Sequence, residues 1–285
     1  MSAVAPGETA PEIRAIEQRA TGSSFYAAMK LMAKPEREAM FAIYAFCRAV
    51  DDIADDGVGT RDERHAALDT WRADLKSLYA AGPLGRAGFL AGAVERYRLR
   101  KDDFLAVIDG MEMDVAQDIR APSLETLDLY CERVASAVGR LSIKVFGMEE
   151  EPGFQLAHHL GRALQLTNIL RDLDQDAKAG RLYLPREYCE EAHLAVRDPK
   201  QTIRDPAIDA VCRKVARLAH RHFGEATRIL RMRPKGRLRA PKLMAAVYSE
   251  ILREMEKRGW APPRRRVSLS KPRLAAIVLA HGLIG

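Results

Sequence analysis

No apolar run of about 18 residues or more occurs in the 285-residue chain, so no transmembrane helix is expected. Cysteine is scarce. Cys47, Cys131, Cys189 and Cys212 are far apart and form no C-x-x-C pair. That excludes a disulfide framework or a cysteine zinc site and points to reduced thiols in a cytoplasmic protein. The opening MSAVAPGETAPEIRAIEQRA lacks the basic and apolar regions of a secretory signal and reads as a disordered lead over residues 1–21. Period-2 alternation is almost absent, which excludes a substantial β-sheet. No repeat of 20–50 residues and no Ser/Gly linker divides the chain. His158 and His159 are adjacent, which aims them at different helix faces and argues against a shared metal; neither sits near a Ser or Cys nucleophile pattern.

The remaining composition is that of a globular protein, 47% hydrophobic and 30% charged. The net charge of +7 is uneven. Residues 231–273 hold 14 Lys or Arg against 3 Glu, so the rest of the chain is net acidic by 4. A basic segment of this kind suits nucleic acid, anionic lipid or a phosphorylated substrate.

Apolar periodicity predicts helices over 35–55, 61–81, 86–98, 101–118, 123–146, 153–177, 203–231, 240–258 and 272–283. Gly82, Pro83 and Gly85 separate the second from the third. Ser123 and Gly147 bracket the fifth as plausible caps. Gly180 ends the sixth, and RLYLPREY follows as a loop. The expectation is one all-α domain over 22–285, a helical bundle around a central cavity.

Two carboxylate clusters lie about 120 residues apart: Asp51, Asp52, Asp55 and Asp56 in AFCRAVDDIADD, and Asn168, Asp172, Asp174 and Asp176 in LTNILRDLDQDAKAGRLYLP. Spacings of four put Asp51 with Asp55, and Asn168 with Asp172 and Asp176, on one helix face each. Carboxylates stacked on mostly apolar helices need a positive partner. Oxygen-only ligands suit a hard ion such as Mg²⁺, which substrate phosphates commonly complete. The bland alternatives are a solvated acidic helix end, or pairing with Arg48 and Arg171 close by. Pairing alone does not explain why two distant helices carry the same device. Arg48, Arg171 and Arg181 have the planar donors that a diphosphate needs, although any one of them could be an ordinary surface ion pair. Tyr44, Tyr130 and Tyr183 could line a cavity or pack as ordinary core.

With SSFYAAMKLM, AIYAFCRAVDDIADD, YCERVASAVGRL, LTNILRDLDQDAKAGRLYLP and RRRVSLSKP, the chain resembles the squalene/phytoene synthase family of head-to-head isoprenoid synthases from about residue 22 to 275. SSFYAAMKLM and RGWAPPRRRVSLSKPR resemble its bacterial presqualene diphosphate synthase branch, which serves hopanoid synthesis. The resemblance implies an isoprenoid-synthase helical bundle. It implies metal ligation by Asp51, Asp55, Asn168, Asp172 and Asp176, a catalytic role for those aspartates and Tyr183, and substrate contacts from Ser24, Tyr44, Arg48, Tyr130, Gln165, Asn168, Arg171, Arg181 and Arg265. Tyr130, Ala135, Val138 and Gly139 would lie on the cavity helix, where small residues leave room for a prenyl chain. Spacing leaves the first motif's register open between 51/55 and 52/56; the resemblance selects 51/55.

The implied reaction joins two farnesyl diphosphates into presqualene diphosphate. It would proceed by Mg²⁺-assisted ionisation (Mn²⁺ being the alternative ion), attack by the second double bond, and proton loss to close a cyclopropane. The proton would go to the released diphosphate or to a nearby Tyr. NADPH is not expected for this reaction. Phytoene, dehydrosqualene and squalene synthases are the alternatives within the family. A non-catalytic membrane- or nucleic-acid-binding protein of the same fold is the alternative outside it, though such a protein has no need of two complete acidic ladders. No nucleic-acid partner is expected. Downstream pathway enzymes and the inner membrane surface are further candidate partners, the latter through Arg264–Arg266 and the tail LAAIVLAHGLIG.

Overall fold

The computed structural model describes Met29 and residues 32–55, 59–117 and 119–282. Ser24, Asp56 and the N-terminal lead lie outside the described residues. In chain order the helices are α1 Lys34–Asp55, α2 Arg61–Tyr79, α3 Ala91–Tyr97, α4 Lys101–Ala116, α5 Leu124–Cys131, α6 Ala137–Val145, α7 Glu150–Arg171, α8 Leu173–Lys178, α9 Arg186–Glu191, α10 Pro199–Thr202, α11 Ile208–Arg231, α12 Arg239–Arg258 and α13 Lys271–Gly282. Among the described residues the only β pairing is an isolated parallel bridge between Arg120 and Leu182.

The apolar faces share one core. Phe46 of α1 meets Trp71 of α2 and Phe104 of α4 edge to face, with ring centroids 5.5 and 5.0 Å apart. That is the arrangement aromatic quadrupoles favour. The central helix α7 packs between α6 on one side and α11 on the other. Gly161 makes one of these approaches feasible: a Cβ there would stand 2.8 Å from the Ser136 backbone. At Gly139 a Cβ would stand 3.0 Å from Ala157 Cα. The small size of Gly139 therefore serves helix contact, not only cavity room.

Several predicted boundaries move. The helix expected over 123–146 is broken by a π-helical turn, Glu132–Ser136. A buried guanidinium reaches this turn from α7. Arg162 donates to both carboxylate oxygens of Asp128 (2.7 and 2.9 Å), to Glu132 (2.7 Å) and to Ser136 Oγ (2.9 Å). The segment expected as 86–98 opens as a 3₁₀ turn, Gly85–Leu90, before α3. The helix expected from 203 starts at Ile208, after turns around Asp205 and Pro206.

The helix expected over 153–177 is two helices. Asp172 stands between α7 and α8 with φ −104° and ψ 13°. Its N–H still donates to the Asn168 carbonyl at 2.9 Å, and its carbonyl accepts from Asp176 N–H at 2.9 Å. The acidic ladder thus bends without losing its hydrogen-bonded register. Sequence adjacency also misleads at His158 and His159, which do not diverge. Their ring centroids are 4.7 Å apart, and His222 of α11 comes against both rings.

The C-terminal segment is strapped across the end of α7. Trp260 Nε1 donates to the Leu170 carbonyl at 3.0 Å, and its backbone N–H donates to Asp209 at 2.7 Å. Arg264 grips Asp174 with two hydrogen bonds of 3.0 and 3.1 Å and also reaches the carbonyls of Ile203 and Trp260.

Candidate active site

The two acidic clusters face each other. The decisive side chain is Arg181, in the loop after α8. It bonds Asp55 and donates to the Ala54 carbonyl at 2.6 Å, so it ties the end of α1 to the end of α8. The bridge at Leu182 aims this loop. Leu182 N–H donates to Ile119 O at 2.7 Å, and Ala121 N–H donates to Leu182 O at 2.8 Å.

Ionised carboxylates are poorly tolerated here. Asp51 is pushed from 3.8 up to about 7 by burial and by Asp55, although Arg48 opposes this from 2.7 Å. Asp176 is pushed up to about 7 by burial and by Asp172 and Asp55, with Arg181 opposing. The first pair also sits at the C-terminal end of α1, where the helix dipole disfavours negative charge. Asp172 behaves oppositely. Burial pushes it up, but Arg171 (3.0 and 2.7 Å) and Arg266 (2.7 Å) outweigh that and hold it below the ordinary value.

Arginine pairing is therefore present: Arg48 also bonds Asp52 at 2.7 Å. It leaves a remainder. Asp176 has no ion pair among the described residues, and the buried Asn168 Oδ1 has no hydrogen-bond partner. An orphaned buried oxygen beside repelling carboxylates, in an all-oxygen donor set, fits a hard divalent cation. Arg48 pairs with both Asp51 and Asp52, and Asp55 meets Arg181.

Asp114 of α4 is a member that sequence reading passed over. It is buried and accepts from Tyr183 at 2.6 Å and Tyr130 at 3.1 Å. The two phenol rings stack with centroids 4.9 Å apart. Burial raises the Asp114 carboxyl, against Arg181 and the two phenols. Burial pushes both phenols well above 10. Asp114 stands two residues after Glu112 on a helix that carries five acids, so nothing in the local pattern singles it out. Tyr248 of α12 was also missed; it adjoins Tyr44 and Arg171.

Tyr44, Arg48, Tyr130, Arg171, Arg181 and Tyr183 all gather at the clusters. Gln165 is half-buried on α7, one turn before Ile169. Arg265 lines a cleft with Arg171, Arg258 and Arg266. Beside the polar site lies an apolar cavity whose walls include Met29, Met32, Ala135, Val138, Leu164 and Met244. One row of α7 joins the two regions: Leu156, Leu160 and Leu164 lead by steps of four to Asn168 and Asp172. The row spans about 24 Å at 1.5 Å per residue.

A sequence description of squalene/phytoene synthases matches residues 18–273. The chain belongs to the squalene/phytoene synthase family. A presqualene diphosphate synthase of Zymomonas mobilis is 53% identical over 264 residues, which are 93% of this chain and 90% of that protein. A presqualene diphosphate synthase of Rhodopseudomonas palustris is 47% identical over 274 residues, 96% and 98% of the two chains. Among solved structures, a dehydrosqualene synthase in complex with ligand superposes with a TM-score of 0.79 at 23% identity, covering 95% of each chain. At that identity the likeness is one of fold. This squalene/phytoene synthase family member thus carries its apolar cavity and its acidic site on one all-α frame.

Proposed function

We propose that the chain joins two farnesyl diphosphates head to head into presqualene diphosphate and releases one diphosphate. The row of α7 that passes from leucines to Asn168 and Asp172 carries the reading, because it matches a substrate with an apolar tail and an anionic head. The high identity to presqualene diphosphate synthases supports it.

Asp51, Asp55, Asn168, Asp172 and Asp176 would hold Mg²⁺. When bound, the ion supplies Lewis-acid stabilisation of the charge that gathers on the departing diphosphate. Arg48, Arg171, Arg181 and Arg265 orient the diphosphates through planar donors. The C–O bond of the donor breaks with its electron pair leaving on diphosphate. The double bond of the second substrate then attacks the allylic cation. Loss of a proton closes the cyclopropane, and the second diphosphate is retained.

The apolar walls keep water from the cation, and the stacked Tyr130 and Tyr183 rings offer it their faces. Burial disfavours ionisation of both phenols, and the released diphosphate serves as the base. No helix among the described residues is long and apolar enough to cross a membrane. Peripheral attachment through α13, whose Leu279 is 59% exposed, suits an apolar product.

The test is incubation with farnesyl diphosphate and Mg²⁺, with and without NADPH, with products identified by mass. One diphosphate released per two substrates and a product retaining a diphosphate are expected, indifferent to NADPH. A diphosphate-free hydrocarbon, or turnover only with geranylgeranyl diphosphate, would overturn the assignment.

A further inference from the structure

Three imidazoles that the diphosphate site does not use meet between α7 and α11. His158 and His159 come from α7 and His222 from α11, and each offers a ring nitrogen within 4.8 Å of the other two. His159 Nδ1 and His222 Nδ1 share a hydrogen bond of 3.1 Å. His158 is exposed and the other two are half-buried, so the cluster opens to solvent on one side. His158 precedes Asn168 by ten positions on α7, about 15 Å along the axis, which separates the cluster from the acidic site.

None of the three rings forms an ion pair among the described residues. The charged groups around them are already engaged. Asp128 and Glu132 are held by Arg162, and Glu225 is held by Arg228 at 2.8 Å. Burial, with repulsion from His159, Arg162 and His158 against protonation, pushes His222 down to about 4, and burial leads the lowering at His158 and His159. The imidazoles are therefore neutral at pH 7, the form that binds metal.

We propose that His158, His159 and His222 form a site for a late first-row divalent cation of the Zn²⁺, Ni²⁺ or Cu²⁺ class, distinct from the diphosphate site and clipping α7 to α11. Nitrogen ligands suit these ions and not Mg²⁺. Tetrahedral zinc with Zn–N bonds of about 2.0–2.1 Å needs nitrogens about 3.3 Å apart. The His159–His222 pair already meets that, and rotation of the exposed His158 ring closes the remainder. The open side leaves the fourth position to water. The ligands come from helices 63 residues apart in sequence, so bound metal favours the folded chain.

The experiment uses untagged full-length protein, stripped with chelator and then saturated with Mg²⁺ to occupy the oxygen donors. Co²⁺ is titrated by its visible absorption and Zn²⁺ by calorimetry. One equivalent of tetrahedral Co²⁺, displaced by Zn²⁺, and a Zn²⁺-dependent rise in Tm are expected. His222→Gln and His158→Gln should each weaken Zn²⁺ binding at least about 10-fold, with helical content and Mg²⁺-dependent turnover unchanged. If His222→Gln does not fold, the exposed His158→Gln decides alone. Absence of the tetrahedral Co²⁺ band, or Zn²⁺ affinity indifferent to the substitutions, would overturn the proposal.

Discussion

Asp176→Asn should make the metal-free protein more stable and the enzyme inactive. Asp176 titrates near 7 in the fold against 3.8 ordinarily, because burial and the neighbouring Asp172 oppose its charge. A raised carboxyl is no burden below pH 4, where it is protonated both folded and unfolded. The penalty grows as pH climbs from about 4 to about 7 and is complete above that. About three pH units at about 1.4 kcal/mol each set an upper bound of about 4 kcal/mol at pH 8. Asp176 is only half-buried, and solvent screening reduces this to about 1–2 kcal/mol. For a chain of this size that is a Tm rise of about 2–6 °C in EDTA at pH 8. At pH 4 the gain should vanish. Saturating Mg²⁺ should reverse the ranking, since an ion at 100 times its Kd contributes about 2.7 kcal/mol to a protein that binds it. Urea or thermal melts of both proteins across pH 4–8, with and without Mg²⁺, give all of these values. A variant less stable than the parent in EDTA at pH 8, or a difference that does not change with pH, would refute the electrostatic account of the site.

Other substitutions probe the remaining parts. Arg181→Lys keeps the charge but cannot bond Asp55 and the Ala54 carbonyl together, so kcat/KM should fall about 10–100-fold with helical content intact; unchanged kinetics would remove Arg181 from the site. Gly161→Ala puts a Cβ against the Ser136 backbone and should cost about 1–3 kcal/mol in urea unfolding, through separation of α7 from the π-helical turn. Val138→Trp should fill the apolar cavity, abolishing turnover of farnesyl diphosphate while Mn²⁺ binding at the aspartates, read by electron paramagnetic resonance, persists.

Much of this was legible from residue spacing. The helical period, the two acidic clusters and the arginines beside them are local patterns, and a helix turns them into faces without help from the rest of the chain. Legibility failed where a contact from elsewhere overrides the local pattern. Nothing in YCERVASAV marks the π-helical turn, which coincides with the reach of Arg162 from α7. Asp114 is one of five acids on its helix until Tyr130 and Tyr183 arrive from 16 and 69 residues away. His158 and His159 diverge by helix geometry alone, yet His222 meets both.

The sequence by itself determined the candidate donors: five oxygen-bearing side chains in two helical segments, within an apolar helical frame. Only the tertiary structure decided how they are charged and joined. Burial and mutual repulsion carry Asp51 and Asp176 up to about 7, while Arg171 and Arg266 hold Asp172 down. Arg181 crosses 126 residues of sequence to bring the two clusters together. Spacing along a helix fixes which side chains share a face, whereas desolvation and cross-chain pairing depend on what the fold packs against that face.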